Sequence, residues 1–398
     1  LQGRARSKQL PVAELPQAAE GLGYCEASLV ENLAGIPLEG GGFPADLGFP
    51  DVRAVADIDT ARILPWEPDT AWVLADVIDG AEPSALCARS ALVRATARLA
   101  AHGLEGVAAA EPEFYIVAPD PDRPGAPYSP RDGMAYSAGG RADPDGVFGR
   151  MHRALLGLGV GVTTANREFS PGQFEINLRH APLLHAADHV FLLKEAVKEL
   201  AMRDGLLATF MPKPRADAEG SSMHVHVSLW RDEANAFDAG DGGVTELCHR
   251  FIAGVLHHVR GLTAICAPSI NSYKRLVPGG LAPVAAGLGG DDRLAYVRIP
   301  AERGRATRAE FRGGDASANP YLLLAGIVHA GLDGIERGLD LPAEPVPLPL
   351  GLEEATAALE ADEVLVDGLG ARLVGVLAAL RREELDRYRR AVTDWEWR

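Results

Sequence analysis

The chain has 398 residues, of which 47% are hydrophobic, and a formal net charge of −16 at pH 7, so it can build a sizeable core and two domains. The negative charge argues against nucleic-acid binding over a broad surface. No apolar run reaches the ~20 residues that cross a bilayer, and no signal peptide is recognisable, so we expect a cytoplasmic protein without membrane partners.

The four cysteines are scattered along the chain and show no C-x-x-C spacing; they are Cys25, Cys87, Cys248 and Cys266. This usage predicts buried thiols in a reducing compartment rather than a disulfide framework or a zinc site. The sequence begins with Leu1 instead of a methionine. We therefore expect the native chain to have been trimmed at its N-terminus.

The first 82 residues are rich in glycine and proline, and short alternating runs at 7–12 and 71–77 predict strands. Between them, residues 35–51 have the composition of a loop. An amphipathic helix is predicted over 83–101, with Gly103 as its stop. The change of pattern places a domain boundary near residues 80–83.

Four later segments alternate between apolar residues and acids, histidines or arginines, which predicts strands with one charged face. The polar positions on these strands are Glu111 and Glu113; Gln173, Glu175, Asn177 and Arg179; His224, His226 and Ser228; and Arg308, Glu310 and Arg312. An ordinary solvated strand face is the alternative for any one of them. Together they predict a curved sheet around a charged cavity.

Helices are predicted over 143–158, 184–204, 246–267 and 319–330, and across most of 352–397. Asp143-Pro144 and Asn319-Pro320 have the form of an N-cap followed by a first-turn proline. The Pro/Gly/Asp-rich stretch 118–140 is either a cover over the mouth of the site or a plain surface excursion. Helices outside an antiparallel sheet indicate the α+β class.

Several motifs now resemble, in the same order, those of the glutamine synthetase family and particularly its γ-glutamyl-amine ligase branch. They are Glu111-Pro-Glu-Phe114, Glu168-Phe-Ser-Pro-Gly-Gln-Phe-Glu175, Ala208-Thr-Phe-Met-Pro-Lys-Pro214, Gly220-Ser-Ser-Met-His-Val-His226, Asn271-Ser-Tyr-Lys-Arg-Leu-Val-Pro-Gly279, Arg298-Ile-Pro300, Arg308-Ala-Glu-Phe-Arg312 and Ala318-Asn-Pro-Tyr321. The resemblance implies a β-grasp N-terminal domain over 1–82. It implies a catalytic domain over 83–398, with a curved antiparallel sheet flanked by helices.

The resemblance also implies two divalent cations, one held by Glu113, Glu168 and Glu175 and the other by Glu111, His224 and Glu310. Carboxylates with a single imidazole suit Mg²⁺ or Mn²⁺. A network of Glu–Arg pairs is the structural alternative.

ATP is the implied phosphate donor. The sequence contains no G-x-x-x-x-G-K-[ST] run, so this would not be a Walker-type site. By resemblance, the residues facing the nucleotide are His226, Ser228, Arg293, Arg298 and Arg308. Arg303 and Arg305 have no secure assignment and fit a solvated loop as well. The acid substrate is assigned to Gly220, Arg275 and Arg312, and the catalytic groups to Glu168, Arg293 and Arg312.

Three departures from glutamine synthetases proper bear on the substrate. The flap run reads Pro278-Gly-Gly-Leu-Ala-Pro283, so Leu281 stands where the family has glutamate and Gly280 where it has an aromatic residue. Cys25 aligns loosely with an N-terminal aspartate, and Glu219 replaces an asparagine beside Gly220. The sequence therefore predicts an ATP-dependent ligase that joins glutamate, or a close relative, to an organic amine through an acyl phosphate.

Two alternatives stay open at this point. One is an ordinary glutamine synthetase that uses ammonium; the other is an inactive structural or regulatory homologue, which would be expected to have lost some of the six implied metal ligands. The resemblance further implies a ring-shaped homo-oligomer, with a dodecamer as the expected size.

Overall fold

The computed structural model describes residues 1–40, 43, 45–129, 134–393 and 395–397. Near the N-terminus, a short helix α1 (Leu15–Glu20) precedes a four-stranded antiparallel sheet in the order β1-β2-β3-β4. Its strands are β1 (Leu22–Cys25), β2 (Asp51–Leu64), β3 (Glu67–Asp79) and β4 (Glu82–Pro83). The strand predicted at 71–77 lies inside β3. The strand predicted at 7–12 is wrong, because those residues are exposed and have no partner strand in the described chain.

A ten-stranded sheet forms the centre of the molecule, with the main order β13-β14-β15-β10-β5-β7-β6. Its strands are β5 (Glu105–Val117), β6 (Val162–Arg167), β7 (Gln173–Leu178), β8 (Ala181–Pro182), β9 (Leu207–Thr209), β10 (Met223–Arg231), β11 (Ala234–Asn235), β13 (Leu288–Gly289), β14 (Val297–Arg298) and β15 (Ala309–Phe311). All pairs are antiparallel except β13–β14, which is parallel. A separate pair joins β12 (Ala285–Ala286) to β16 (Val346–Pro347). The α+β class is confirmed.

Strand β10 fixes the register of the functional residues. It pairs with β5 on one side, so that His224 is opposite Glu111, and with β15 on the other, so that His226 is opposite Glu310. The apolar side chains of β10 point into the core, and its polar face is also buried. The predicted charged face is therefore enclosed rather than solvated.

Helices cover this sheet and reproduce most of the predicted segments. They are α2 (Ala88–Ala101), α3 (Val147–Leu158), α4 (Leu183–Arg203), α5 (Glu246–His257), α6 (Val259–Cys266), α7 (Pro320–Arg337), α8 (Leu352–Ala361), α9 (Glu363–Leu369) and α10 (Ala371–Arg390). The side chain of Asn319 caps α7 by accepting from the N–H groups of Tyr321 and Leu322, as its position before proline predicts. None of the helices in the described chain is long and apolar enough to cross a bilayer.

Four predicted boundaries are wrong for identifiable reasons. Helix α3 begins at Val147 and not at Asp143-Pro144, because Gly146 at φ 68° interrupts the helical backbone and occupies the N-cap position. Helix α2 begins at Ala88 and not at 83, because residues 82–83 pair with β3 as strand β4. The helix predicted over 246–267 is divided at His258, where α5 ends and α6 begins. Helix α7 continues past residue 330 to Arg337, since nothing in its sequence stops it before Gly338.

The cysteine prediction is correct for three of the four thiols. Cys87, Cys248 and Cys266 are buried and free, whereas Cys25 is exposed at the end of edge strand β1. Of the stretch 118–140, residues 130–133 lie outside the described part of the chain. The flanking residues pack onto the sheet through a bridge between Val117 and Pro127.

A buried arginine joins the N-terminal sheet to the helices. The guanidinium of Arg89 in α2 pairs with Asp57 and Asp76 at 2.7 Å each, on β2 and β3, and with Asp188 in α4 at 3.1 Å. Tyr321 donates to the same Asp188 at 2.7 Å. The domain boundary near residue 82 stays a prediction, and this cluster lies across it.

Candidate active site

Neighbouring strands bring two acids and two imidazoles together at the centre of the sheet. His226 Nε2 lies 3.0 Å from Glu111 Oε1. His224 Nδ1 lies 3.8 Å from Glu111 Oε2 and 3.9 Å from Glu310 Oε1. Ligand atoms of Glu111, His226 and Glu310 all fall within 4.8 Å of one another, which is a spacing that one cation can bridge.

A second group consists of three carboxylates. Glu113 on β5 is directly opposite Glu175 on β7, and Glu168 follows β6. Glu113 Oε2 accepts from the Ser222 N–H at 2.9 Å and from Gln173 Nε2 at 3.2 Å. Glu168 Oε1 accepts from Asn166 Nδ2 at 2.8 Å.

The electrostatics of this second group show an excess of negative charge. Burial, together with the charge of Glu168, raises the pKa of Glu113 to about 7. Burial and the nearby charges of Glu111, Glu113 and Glu168 raise the pKa of Glu175 to about 9. Burial and the charge of Glu111 raise the pKa of Glu168 as well. Because mutually repelling carboxylates in a desolvated space are stabilised by a divalent cation, the residues present fit one here.

The first group is different because cationic side chains surround it. Burial would raise the pKa of Glu111, but the imidazoles of His224 and His226 beside it hold that pKa well below its usual range. Burial is likewise outweighed at Glu310, where the histidines and Arg312 lower the pKa. These carboxylates are therefore ionised, as oxygen ligands of Mg²⁺ or Mn²⁺ must be.

Three of the predicted arginines touch this group. Arg298 donates to Glu310 at 2.7 Å and to Asp291 at 2.8 Å. Arg312 pairs with Glu310 and lies 3.4 Å from His224 Nδ1, and Arg308 donates to His226 Nδ1 at 3.2 Å. Arginine forks in such a place can bind phosphate oxygens.

Other predicted nucleotide residues are placed less centrally. Arg293 is on an exposed loop, and its charge acts on Glu168. Ser228 is buried and accepts from Trp230 Nε1 at 2.9 Å. Arg305 stacks on Trp230 at 4.8 Å, and Arg303 donates to the Gly242 carbonyl at 3.0 Å. The last two arginines therefore have structural contacts of their own.

Arg275 is a buried cation whose guanidinium group can still bind a ligand. Its side chain is about 5% exposed, Nη2 donates to Ser222 Oγ at 2.8 Å, and Nη1 has no hydrogen-bond partner among the described residues. Burial lowers the pKa of this guanidinium. A Cβ on Gly220 would lie 2.7 Å from Arg275 Cγ, so only glycine lets the arginine pass there. A buried, unsatisfied guanidinium nitrogen is a site for a carboxylate ligand.

Several residues that organise this site have no role assigned from the sequence. Gln173 Nε2 donates both to Glu113 and, at 3.0 Å, to the Gly220 carbonyl. Tyr115 donates to the Glu219 carbonyl at 2.7 Å, and Ser170 Oγ accepts from the Glu219 N–H at 2.8 Å. The alternating pattern does place Gln173 on the polar face of its strand, but its partners lie far away in the sequence.

The flap residues lie just beyond Arg275. The Val277 N–H donates to the Arg275 carbonyl, and the Gly280 N–H to the Val277 carbonyl, in two successive turns. Leu281 follows and is 50% exposed, and no acidic residue occurs between 276 and 290. This loop presents an apolar surface.

Comparison with known proteins identifies the family of this chain. Residues 85–398 match the family described as "Glutamine synthetase, catalytic domain". Fold and site together define an ATP-dependent carbon–nitrogen ligase that uses divalent cations. The chain belongs to the glutamine synthetase family.

Its relatives cover nearly the whole chain. Glutamine synthetase of Methanocaldococcus jannaschii is 37% identical over 87% of this chain and 82% of its own length. Glutamine synthetase of Mycolicibacterium smegmatis is 34% identical over 99% and 92%. Among solved structures, GmaS without ligand superposes with a TM-score of 0.88 at 34% identity, covering 99% of this chain and 93% of that chain. A GmaS/ADP complex gives 0.87 at 33%, covering 98% and 92%.

Proposed function

We propose that the chain joins glutamate, or a close relative, to an organic amine through an acyl phosphate, forming a γ-glutamyl amide. The proposal of an organic amine rests on Leu281, which is an apolar and half-exposed side chain in a flap without acidic residues. Such a side chain can neither attract ammonium nor take a proton from it. The loss of a general base costs about 10²–10⁴-fold in rate. A larger amine instead gains contact with the apolar wall, and Gly280 leaves room for it.

The acid is assigned to Arg275 and Arg312. Arg275 Nη1, buried and without a partner among the described residues, supports a substrate carboxylate at this point. Gly220 leaves the space across which Arg275 extends. The family has asparagine at the position of Glu219. We propose that Glu219 lies near the α-ammonium group of the same substrate.

The metal assignment follows the two groups of carboxylates. Glu113, Glu168 and Glu175 would hold one cation; Glu111, His224 and Glu310 would hold the other, with His226 against the nucleotide. The geometry places both imidazoles beside Glu111, and His226 is the nearer of the two. When bound, the cations neutralise the negative charge of the reacting phosphate groups.

The protein side chains then have distinct tasks. Arg293, Arg298 and Arg308 hold the phosphates of ATP, and Arg312 holds the phosphoryl group as it moves to the carboxylate oxygen and ADP leaves. The amine nitrogen attacks the acyl carbon and forms the carbon–nitrogen bond. The bond between that carbon and the phosphate oxygen breaks, and inorganic phosphate leaves. Glu168 or water takes the proton that the amine loses. Burial of the site protects the acyl phosphate from hydrolysis.

Ammonium is the alternative nucleophile, and it is favoured by the relatives, which are named glutamine synthetase. The deciding experiment measures phosphate release with ATP, Mg²⁺ and glutamate, comparing ammonium with a panel of primary amines that includes methylamine, ethanolamine and polyamines. We expect an organic amine to be the best substrate. Leu281→Glu should raise the kcat/KM for ammonium at least about 10-fold relative to that amine. If ammonium is the best nucleophile for the wild type, the proposed role of Leu281 is wrong.

We also propose that the enzyme works in the cytoplasm as a ring-shaped homo-oligomer, with a dodecamer as the expected size. Strongly exposed apolar side chains such as Leu350 and Trp397 support a subunit contact that covers them.

A further inference from the structure

Ser222 occupies a junction between the two parts of the site. It immediately precedes β10, is buried, and forms an isolated bridge with Asp315. Its backbone is bonded twice to Glu113: the Ser222 N–H donates to Glu113 Oε2, and the Glu113 N–H donates to the Ser222 carbonyl, both at 2.9 Å. Its side chain is directed elsewhere, toward Arg275.

The contacts of Arg275 indicate a role for the Ser222 side chain. The arginine extends across Gly220, and its Nη2 ends 2.8 Å from Ser222 Oγ. A second contact of Nη2, with the Arg312 carbonyl, is at 3.5 Å and is therefore weak. The hydroxyl of Ser222 is thus the one close side-chain acceptor of this guanidinium among the described residues. With Nη2 held there, Nη1 is left without a hydrogen-bond partner in the described part of the chain.

We propose that Ser222 is a positioning residue that orients Arg275, so that its free Nη1 meets the carboxylate of the acid substrate. This inference rests on the proposed function and refines it, because it identifies what fixes the acid-binding arginine. An arginine has many rotamers, and a hydrogen bond at one nitrogen restricts the fork to one orientation before the acid arrives. Because the backbone of Ser222 holds Glu113 independently, removal of the hydroxyl should affect acid binding and leave the carboxylate group in place.

The test compares Ser222→Ala with a matched control, Ser221→Ala. Ser221 is its fully buried neighbour, and its Oγ has no hydrogen-bond partner among the described residues. Glutamate binding is measured by titration calorimetry in the presence of Mg²⁺ and ADP, and KM for glutamate, KM for ATP and kcat are measured with the best amine. We expect S222A to weaken glutamate binding and raise its KM about 5- to 10-fold, with kcat and KM for ATP unchanged. S221A should match the wild type.

Ser222→Cys is the second variant, in case alanine impairs folding. The thiol fills the same space but accepts hydrogen bonds weakly, so the KM for glutamate should still rise. Arg275→Lys combined with S222A should cost less than the sum of the single effects, because both act through one guanidinium.

Three results would overturn the inference. If the wild type is active and S222A binds glutamate equally well, the positioning role of Ser222 is wrong, but the proposed function stands. An equal loss of ATP affinity and thermal stability would show a merely structural role. A wild type that binds no glutamate would overturn the acid assignment itself, and the role of Ser222 with it.

Discussion

Glu113 and Glu310 lie on different strands and have opposite electrostatic surroundings. Glu113 is buried among carboxylates, whereas Glu310 is paired with Arg298 and Arg312. If each holds a cation, then loss of either carboxylate removes a direct ligand and leaves its neighbours uncompensated. Even outer partners of metal ligands contribute about 10–100-fold to affinity or activity.

We therefore expect Glu113→Ala and Glu310→Ala each to lower amine-dependent phosphate release at least about 100-fold. Glu105→Ala is the matched control, since Glu105 is on the same strand β5 but exposed at its far end. Binding of Mn²⁺, followed by calorimetry, should weaken in both variants and not in the control. Full turnover by either variant would end the two-cation assignment.

At the scale of secondary structure, the division between α5 and α6 is the least expected element. His258 stands at this junction, with Nδ1 2.8 Å from Asp362 and Nε2 2.9 Å from Asp333. Asp333 belongs to α7 and Asp362 caps α9. The imidazole therefore ties three helical segments together through the buried carboxylate of Asp333 and the partly buried one of Asp362.

This contact makes the stability of the helical layer depend on pH. Burial alone would lower the pKa of His258, but the hydrogen bonds to Asp362 and Asp333 raise it above the ordinary value of 6.5. His257 packs against the same ring, and Arg337 shares Asp333 at 3.0 Å. Because the folded-state pKa exceeds the unfolded one, the stabilisation is complete below about pH 6.5 and is lost as pH rises through the folded-state pKa.

His258→Gln should therefore lower the Tm most at pH 6, where it removes charged hydrogen bonds that together contribute about 1.5–3 kcal/mol. The difference in Tm between the wild type and the variant should shrink between pH 6 and 9. Thermal unfolding followed by circular dichroism at several pH values measures it. A constant or growing difference would mean that His258 is neutral in the folded protein.

At the scale of the whole molecule, exposed apolar side chains favour assembly. Leu350 is 92% exposed and Trp397 is 84% exposed, and exposed side chains of this size commonly mark contact surfaces. Closed rings are built from one repeated heterologous contact.

For the dodecamer proposed above, light scattering should give the mass of twelve 42.1 kDa chains, about 505 kDa. Dilution should not release active monomers. A stable monomer would contradict the ring, while a smaller closed oligomer would revise only its size.

Much of the site could be predicted because its residues obey a local rule. Alternation with period two puts Glu111 with Glu113, and His224 with His226, on one face of each strand, whatever the strand pairs with. The cap at Asn319 and the helix end at Gly159 are similarly local, because each depends only on the adjacent backbone.

Local rules also explain where prediction failed. The alternating residues 7–12 have no neighbouring strand in the described chain, so their pattern has nothing to stabilise it. Residues 82–83 became β4 because β3 offers them a partner, and this delays the start of α2. Nor does any local pattern predict an interruption at His258, whose two partners are more than seventy residues away in the chain.

By itself, then, the sequence determined the class of fold, the strands that carry the functional residues and the face on which those residues lie, because these depend on short-range periodicity and backbone geometry. The tertiary structure decided what is paired, buried or left free. The β5–β10 register sets Glu111 against His224, and neighbouring charges distinguish the buried carboxylates whose pKa is raised from those whose pKa is lowered by cations beside them. It also leaves one nitrogen of Arg275 without a partner in the described chain. Such facts come from contacts between distant segments, and desolvation and charge act only once those segments have packed.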